Sequence, residues 1–133
     1  STANRMVIDS NSRISLSNND AGDNNTLFGK DAGLGMHADA DNNTFIGHAV
    51  SDATMTATAL NNTGVGHTAL SSLTSGTKNT AVGASALFTN STGDFNTAIG
   101  MEALYYNSGA DKNTAIGDAA GGYTTGADNT YVG

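Results

Sequence analysis

Cysteine is absent from this 133-residue chain, which excludes both a disulfide framework and a thiolate metal site. Charge is scarce as well: 13% of the residues are charged, about half the usual share. The only basic side chains are Arg5, Arg13, Lys30, Lys78 and Lys112, and the formal charge is −7. A nucleic-acid footprint needs clustered Lys and Arg, so no nucleic-acid partner is expected. No apolar run approaches the roughly 20 residues that span a bilayer, so no membrane insertion is expected. No basic stretch leading into an apolar one opens the chain at Ser1. Glutamate occurs once, at Glu102. The three histidines have no Ser or Asp at triad-like positions, and no Gly-rich phosphate loop opens a helix. Catalysis finds no foothold, and neither enzymatic activity nor a cofactor is expected.

What is present is a repeat. The phrase Asn-Thr-x-apolar-Gly begins at Asn25, Asn43, Asn62, Asn79, Asn96, Asn113 and Asn129, with successive spacings of 18, 19, 17, 17, 17 and 16 residues. Modest hydrophobicity and frequent glycine would suit a disordered chain. Disordered polar tracts, however, do not hold one Gly and one bulky apolar residue in register over seven copies. A phrase recurring at a short, near-constant period marks a solenoid, in which each repeat is one rung and function belongs to the stack. The expected fold is all-β: a parallel β-solenoid, or β-roll, with rungs of about 17 residues.

Numbering the phrase from its Asn, slot 4 holds Phe28, Ile46, Val65, Val82, Ile99, Ile116 and Val132, all strand-favouring. Slot 2 is always Thr and slot 5 always Gly. Side chains alternate along a strand, so slots 2 and 4 share one face and slots 1, 3 and 5 the other. The bulky slot 4 is expected to form the core and to bring the threonines inward with it. Slot 3 is small in the regular rungs (Gly64, Ala81, Ala98, Ala115) and large in the others (Leu27, Phe45, Tyr131). Slot 1 stacks Asn over Asn, where side-chain amides can bond along the stack. Gly at slot 5 supplies the freedom to turn a corner.

A second segment follows, at Ala69-Leu70, Ala86-Leu87 and Ala103-Leu104, weakly continued by Ala120-Gly121. It fits either a short strand or one helical turn. Turns at Ser75-Gly76, Thr92-Gly93, Ser108-Gly109 and Thr125-Gly126 close the rungs. A rung of this length extends at most about 56 Å at roughly 3.3 Å per residue, enough for two or three short sides. With so few large apolar residues per rung, such a narrow coil gains most by packing on copies of itself, and a homotrimer is expected.

Residues 1–20 stand apart as an N-terminal β-strand segment, with Met6-Val7-Ile8-Asp9 and Arg13-Ile14-Ser15-Leu16-Ser17 as two short strands around a turn. The solenoid domain occupies residues 21–133, irregular over residues 25–61 and regular beyond. Its last phrase ends in mid-rung without a polar cap, which suggests a fragment of a longer chain or an end that docks head-to-tail into a filament.

The phrases Asn79-Thr-Ala-Val-Gly83, Asn96-Thr-Ala-Ile-Gly100 and Asn113-Thr-Ala-Ile-Gly117 resemble the head repeats of trimeric autotransporter adhesins. The longer pattern Asn-Thr-Ala-Ile-Gly-x-x-Ala-Leu, with Arg5-Met-Val-Ile-Asp-Ser-Asn-Ser-Arg-Ile-Ser-Leu16, is similar to phage tail-fibre and bacterial surface-fibre proteins. The resemblance covers nearly the whole chain and implies a trimeric β-roll located outside the cell, at a cell surface or on a virion.

Candidate sites are few. His48 and His67 follow Gly47 and Gly66 in adjacent rungs, about 4.8 Å apart if the rungs stack, and could share a metal; two polar residues at a corner explain them more simply. His37 has no evident partner. Asp23, Asp41, Asp94 and Asp111 each lie two residues before a slot-1 Asn; calcium along an edge competes with turn capping. The Thr column invites an ice-binding reading, which requires an exposed array and conflicts with inward threonines. Asn24, Asn42, Asn61 and Asn90 satisfy the N-glycosylation pattern, the first three because Asn precedes the repeat phrase. Phe88, Tyr105, Tyr106 and Tyr123 suit either a subunit seam, the favoured reading, or stacking on a sugar. These features together lead to the expectation of a structural fibre subunit, with a receptor- or glycan-binding adhesin module as the rival.

Overall fold

Strands of three or four residues recur where the repeat places them. The structure, a computed structural model, describes the backbone of residues 13–15 and all of residues 22–133. The expected strand at residues 6–9 lies outside the described residues. The strands are β1 (Arg13–Ser15), β2 (Thr26–Gly29), β3 (Thr44–Ile46), β4 (Thr63–Val65), β5 (Thr80–Val82), β6 (Thr97–Ile99), β7 (Thr114–Ile116) and β8 (Thr130–Val132). They form one sheet in chain order. β1 runs antiparallel to β2, with Ile14 opposite Phe28; every later pair is parallel, with Thr opposite Thr. The chain is therefore a β-solenoid whose rungs stack one residue phrase upon the next.

Inside the coil the parity is the reverse of the expected one. Slot 3 points inward: Leu27, Phe45, Ala81, Ala98 and Ala115 are buried, alongside Val50, Ala69, Leu70, Leu73, Ala86, Leu87, Ala103 and Leu104. Slot 4, the expected core, lies on the outer face. Phe28, Ile46, Val82, Ile99, Ile116 and Val132 are exposed and Val65 is half-buried.

Volume explains this. The Leu of the second segment already fills the space beneath the sheet, and an Ile added to it would overpack the interior at about 1–3 kcal/mol. Slot 3 tracks that space. Where the second segment carries Leu87 or Leu104, slot 3 is Ala; where it carries Gly33, slot 3 is Leu27, whose Cδ2 lies 3.0 Å from where a Cβ on Gly33 would stand. At Gly121, whose own rung keeps Ala115 at slot 3, the ring of Tyr131 from the following rung takes up the space.

The slot-1 asparagines form a buried ladder. Asn79 Nδ2 donates to Asn62 Oδ1 (3.1 Å) and to the Gly93 carbonyl (2.8 Å). Its Oδ1 accepts from Asn96 N (2.9 Å) and Asn96 Nδ2 (3.1 Å). All four side-chain valences are used, which is what allows an amide to be buried without penalty. Backbone bonds also run rung to rung, as from Thr80 N to Asn96 O and Gly83 N to Val65 O, both 2.8 Å.

The second segment is neither strand nor helix. Its alternate residues are left-handed (Thr68 and Leu70, Ser85 and Leu87, Glu102 and Leu104, with φ between 51° and 57°). Such conformations cost about 1–2 kcal/mol each outside Gly. They are held because each amide finds a carbonyl one rung away: Ser85 N on His67 O, Leu87 N on Ala103 O, Leu104 N on Ala120 O. Slot 5 needs glycine twice over. Gly100 has φ 135°, and a Cβ there would collide with the Gly117 carbonyl.

Candidate assembly face and aromatic cleft

The outward parity turns the sheet into a two-column face. Thr26, Thr44, Thr63, Thr80, Thr97, Thr114 and Thr130 stand in register, and none of their hydroxyls hydrogen-bonds among the described residues. Beside them runs the slot-4 column, with Phe28 52%, Ile99 42% and Ile116 46% exposed. The objection to an exposed threonine array falls with the inward parity. A contiguous apolar stripe on a narrow coil is also the kind of surface that marks an interaction site.

The other expected sites resolve individually. His48 and His67 stack face to face, with ring centroids 5.3 Å apart and planes 6° apart. Their in-plane lone pairs run in separate parallel planes, so no point about 2.0–2.1 Å from both nitrogens lies in both rings. His48 Nε2 lies 4.0 Å from Asp31 Oδ2, and His67 Nδ1 3.3 Å from Thr68 Oγ1. No group of three potential ligands gathers among the described residues. His37 has a local partner after all, its Nδ1 accepting from Asp39 N at 3.1 Å.

Three of the four aspartates cap neighbouring rungs. Asp41 Oδ1 accepts from Asp23 N (2.6 Å), Asp94 Oδ1 from Thr77 N (2.7 Å) and Asp111 Oδ1 from Asp94 N (2.8 Å).

Asn24, Asn42 and Asn61 are exposed and left-handed, with φ of 59–60°. The residue before slot 1 is always left-handed (Lys78, Phe95, Lys112 and Asp128 complete the column), and Asn tolerates that conformation well. The Asn-Asn-Thr triplets thus have a backbone cause. Asn90 is a correction: it is fully buried, its Nδ2 donating to Gly93 O at 3.1 Å and its Oδ1 accepting from Asn107 Nδ2 at 3.3 Å. A glycan there has no room.

The aromatic residues form a continuous cluster. Phe88 and Tyr105 stack across rungs at 4.9 Å, Tyr105 meets Tyr106 edge-on at 4.7 Å, and Tyr106 meets Tyr123 at 5.3 Å. Glu102, Tyr105, Tyr106, Ala119, Gly122 and Tyr123 line a cleft of about 180 Å³. Nothing in the residue pattern marked Glu102 as a partner of the tyrosines, yet it lines the cleft beside them. Comparison of the chain with known protein families, curated proteins and solved structures finds no match.

Proposed function

We propose that this chain is a structural module of an extracellular or virion-associated fibre, which self-associates side by side through its Thr and slot-4 columns as a homotrimer. The outward slot-4 column is the observation that carries the reading. Seven strand-favouring residues are kept apolar although the interior is already full without them. Fully burying such a side chain stabilises by about 1.5–3 kcal/mol, a gain the isolated coil forgoes and a second copy recovers. Three coils turning one face each toward a common axis cover all three columns at once. Rung stacking then sets the length, since seven rungs at about 4.8 Å give a stem near 30 Å.

Sedimentation equilibrium tests this directly. The expected mass is three times 13.3 kDa, falling to the monomer in Ile99→Asp with the β-sheet circular dichroism retained. A monomeric parent chain refutes the association. Electron microscopy of the pure chain then reports whether the units join end to end.

The outward, in-register threonines, half-buried except for the exposed Thr130, favour one second reading, adsorption to ice. A monomer that shows freezing hysteresis and loses it in Thr97→Lys supports that reading over the fibre.

A further inference from the structure

We propose that the cleft between Tyr105, Tyr106 and Tyr123 binds one uncharged hexopyranose ring, with Glu102 accepting hydrogen bonds from its hydroxyls. This site is separate from the Thr and slot-4 columns and does not depend on how they are used.

Four observations converge on it. Tyr123 is 87% exposed and Tyr106 47%, so ring faces that would ordinarily be buried are held bare. Two of the three rings are held in place: Tyr105 by its stack on Phe88 and its edge contact with Tyr106, and Tyr106 by its contacts with Tyr105 and Tyr123. The backbone beneath is fixed by the bond from Tyr106 N to Gly122 O at 3.0 Å. A pre-built aromatic wall loses little conformational freedom on binding.

Size comes next. About 180 Å³ falls below the roughly 300–1,000 Å³ of clefts that enclose drug-sized ligands, so the space suits a single ring. The third point is chemistry. A pyranose presents an apolar C–H face and a rim of hydroxyls, and the cleft offers tyrosine faces beside one acceptor-only carboxylate, Glu102.

Charge supplies the fourth. No Lys or Arg lines the cleft, and the whole chain carries −7. Acidic sugars such as sialic or uronic acids would meet the Glu102 carboxylate unpaired, which disfavours them. The occupant is therefore a neutral sugar.

The chain is its own reporter. It has four tyrosines and no tryptophan, and three of the four tyrosines line the cleft. Methyl β-glucopyranoside, methyl β-galactopyranoside and methyl N-acetyl-β-glucosaminide are titrated into the full chain. Tyrosine fluorescence and saturation-transfer NMR follow the binding. At least one of the three is expected to saturate with a millimolar Kd. Tyr123→Ala should weaken it about tenfold or more, Glu102→Gln should weaken it less, and Tyr131→Phe should leave it unchanged. Methyl sialoside should not bind. Tyr123 projects into solvent, so its Ala variant should melt like the parent.

The proposal is overturned by no saturation by any of the three neutral glycosides, by binding that survives Tyr123→Ala, or by preferential binding of the sialoside. A drop in oligomeric mass on Tyr123→Ala, without loss of a sugar signal, assigns the rings to a subunit seam instead and also overturns it. The Thr face is tested separately, by the mass of Ile99→Asp.

Discussion

Asn79→Asp replaces one NH2 group by oxygen and should be among the most damaging single changes in the coil. In the parent chain the Nδ2 of Asn79 donates at 3.1 Å to Asn62 Oδ1 and at 2.8 Å to Gly93 O. An aspartate oxygen in that position faces two acceptors and bonds to neither. Each lost bond leaves a buried acceptor or donor short, costing about 1–3 kcal/mol. The new carboxylate is fully enclosed, since Asn79 has no exposed surface. Its charged form is disfavoured in the fold, so its folded pKa rises above the unfolded value of about 3.9.

The sign follows from proton linkage. A group with a raised folded pKa is tolerated at low pH, and its cost grows as pH climbs through the window between the two pKa values, by about 1.4 kcal/mol per unit. Asn79→Leu has similar volume but no titratable group, and serves as the control. Urea denaturation of parent and both variants between pH 5 and pH 8 supplies the measurement. Relative to the parent, Asn79→Leu should be destabilised by a pH-independent amount. Asn79→Asp should lose stability progressively with pH and be unfolded near neutrality, since a domain holds only about 5–15 kcal/mol in all. If Asn79→Asp stays within about 1 kcal/mol of the parent at pH 7, with no added pH slope, the buried ladder is not what holds the rungs.

Variants of the inner column, the glycine corner and the left-handed column probe the remaining contacts. Ala98→Leu, directly beneath the sheet and without exposed surface, should destabilise by about 1–3 kcal/mol through overpacking, whereas Ile99→Asp one residue away should leave the monomer folded; thermal melts of the two variants check this. Gly100→Ala combines a φ of 135° with a collision against the Gly117 carbonyl, and should cost at least about 3 kcal/mol or prevent folding, as read by circular dichroism. Lys112→Asn, at an exposed left-handed position with φ 56°, should gain about 0.5–1 kcal/mol, visible as a raised urea midpoint.

The periodicity carried the solenoid because parallel in-register stacking is the one arrangement that lays every Asn, Thr and Gly on its counterpart. The Asn ladder was legible for the same reason. The direction of the faces was not. Alternation along a strand says which residues share a side, and apolar bulk at slot 4 was a reasonable but mistaken guide to which side is inner. A signal did exist in the sequence: slot 3 is large where the second segment is small in the early rungs and small where it carries Leu, as in Leu27 with Gly33 and Ala81 with Leu87, although Ala115 with Gly121 breaks the pattern. Such compensation is what two residues sharing one cavity produce. The left-handed residues at Lys78, Phe95 and Lys112 left no comparable trace, since none of these types favours that conformation and only the rung above and below holds it.

By itself, then, the order of residues determined the repeat, the rung length and the identity of each column, all of which follow from local spacing and backbone alternation. Tertiary structure alone decided which column is core and which is surface, and brought Glu102 into the tyrosine cleft. Those outcomes depend on how much volume the far wall of the coil leaves beneath the sheet, a quantity fixed only when the chain has closed on itself.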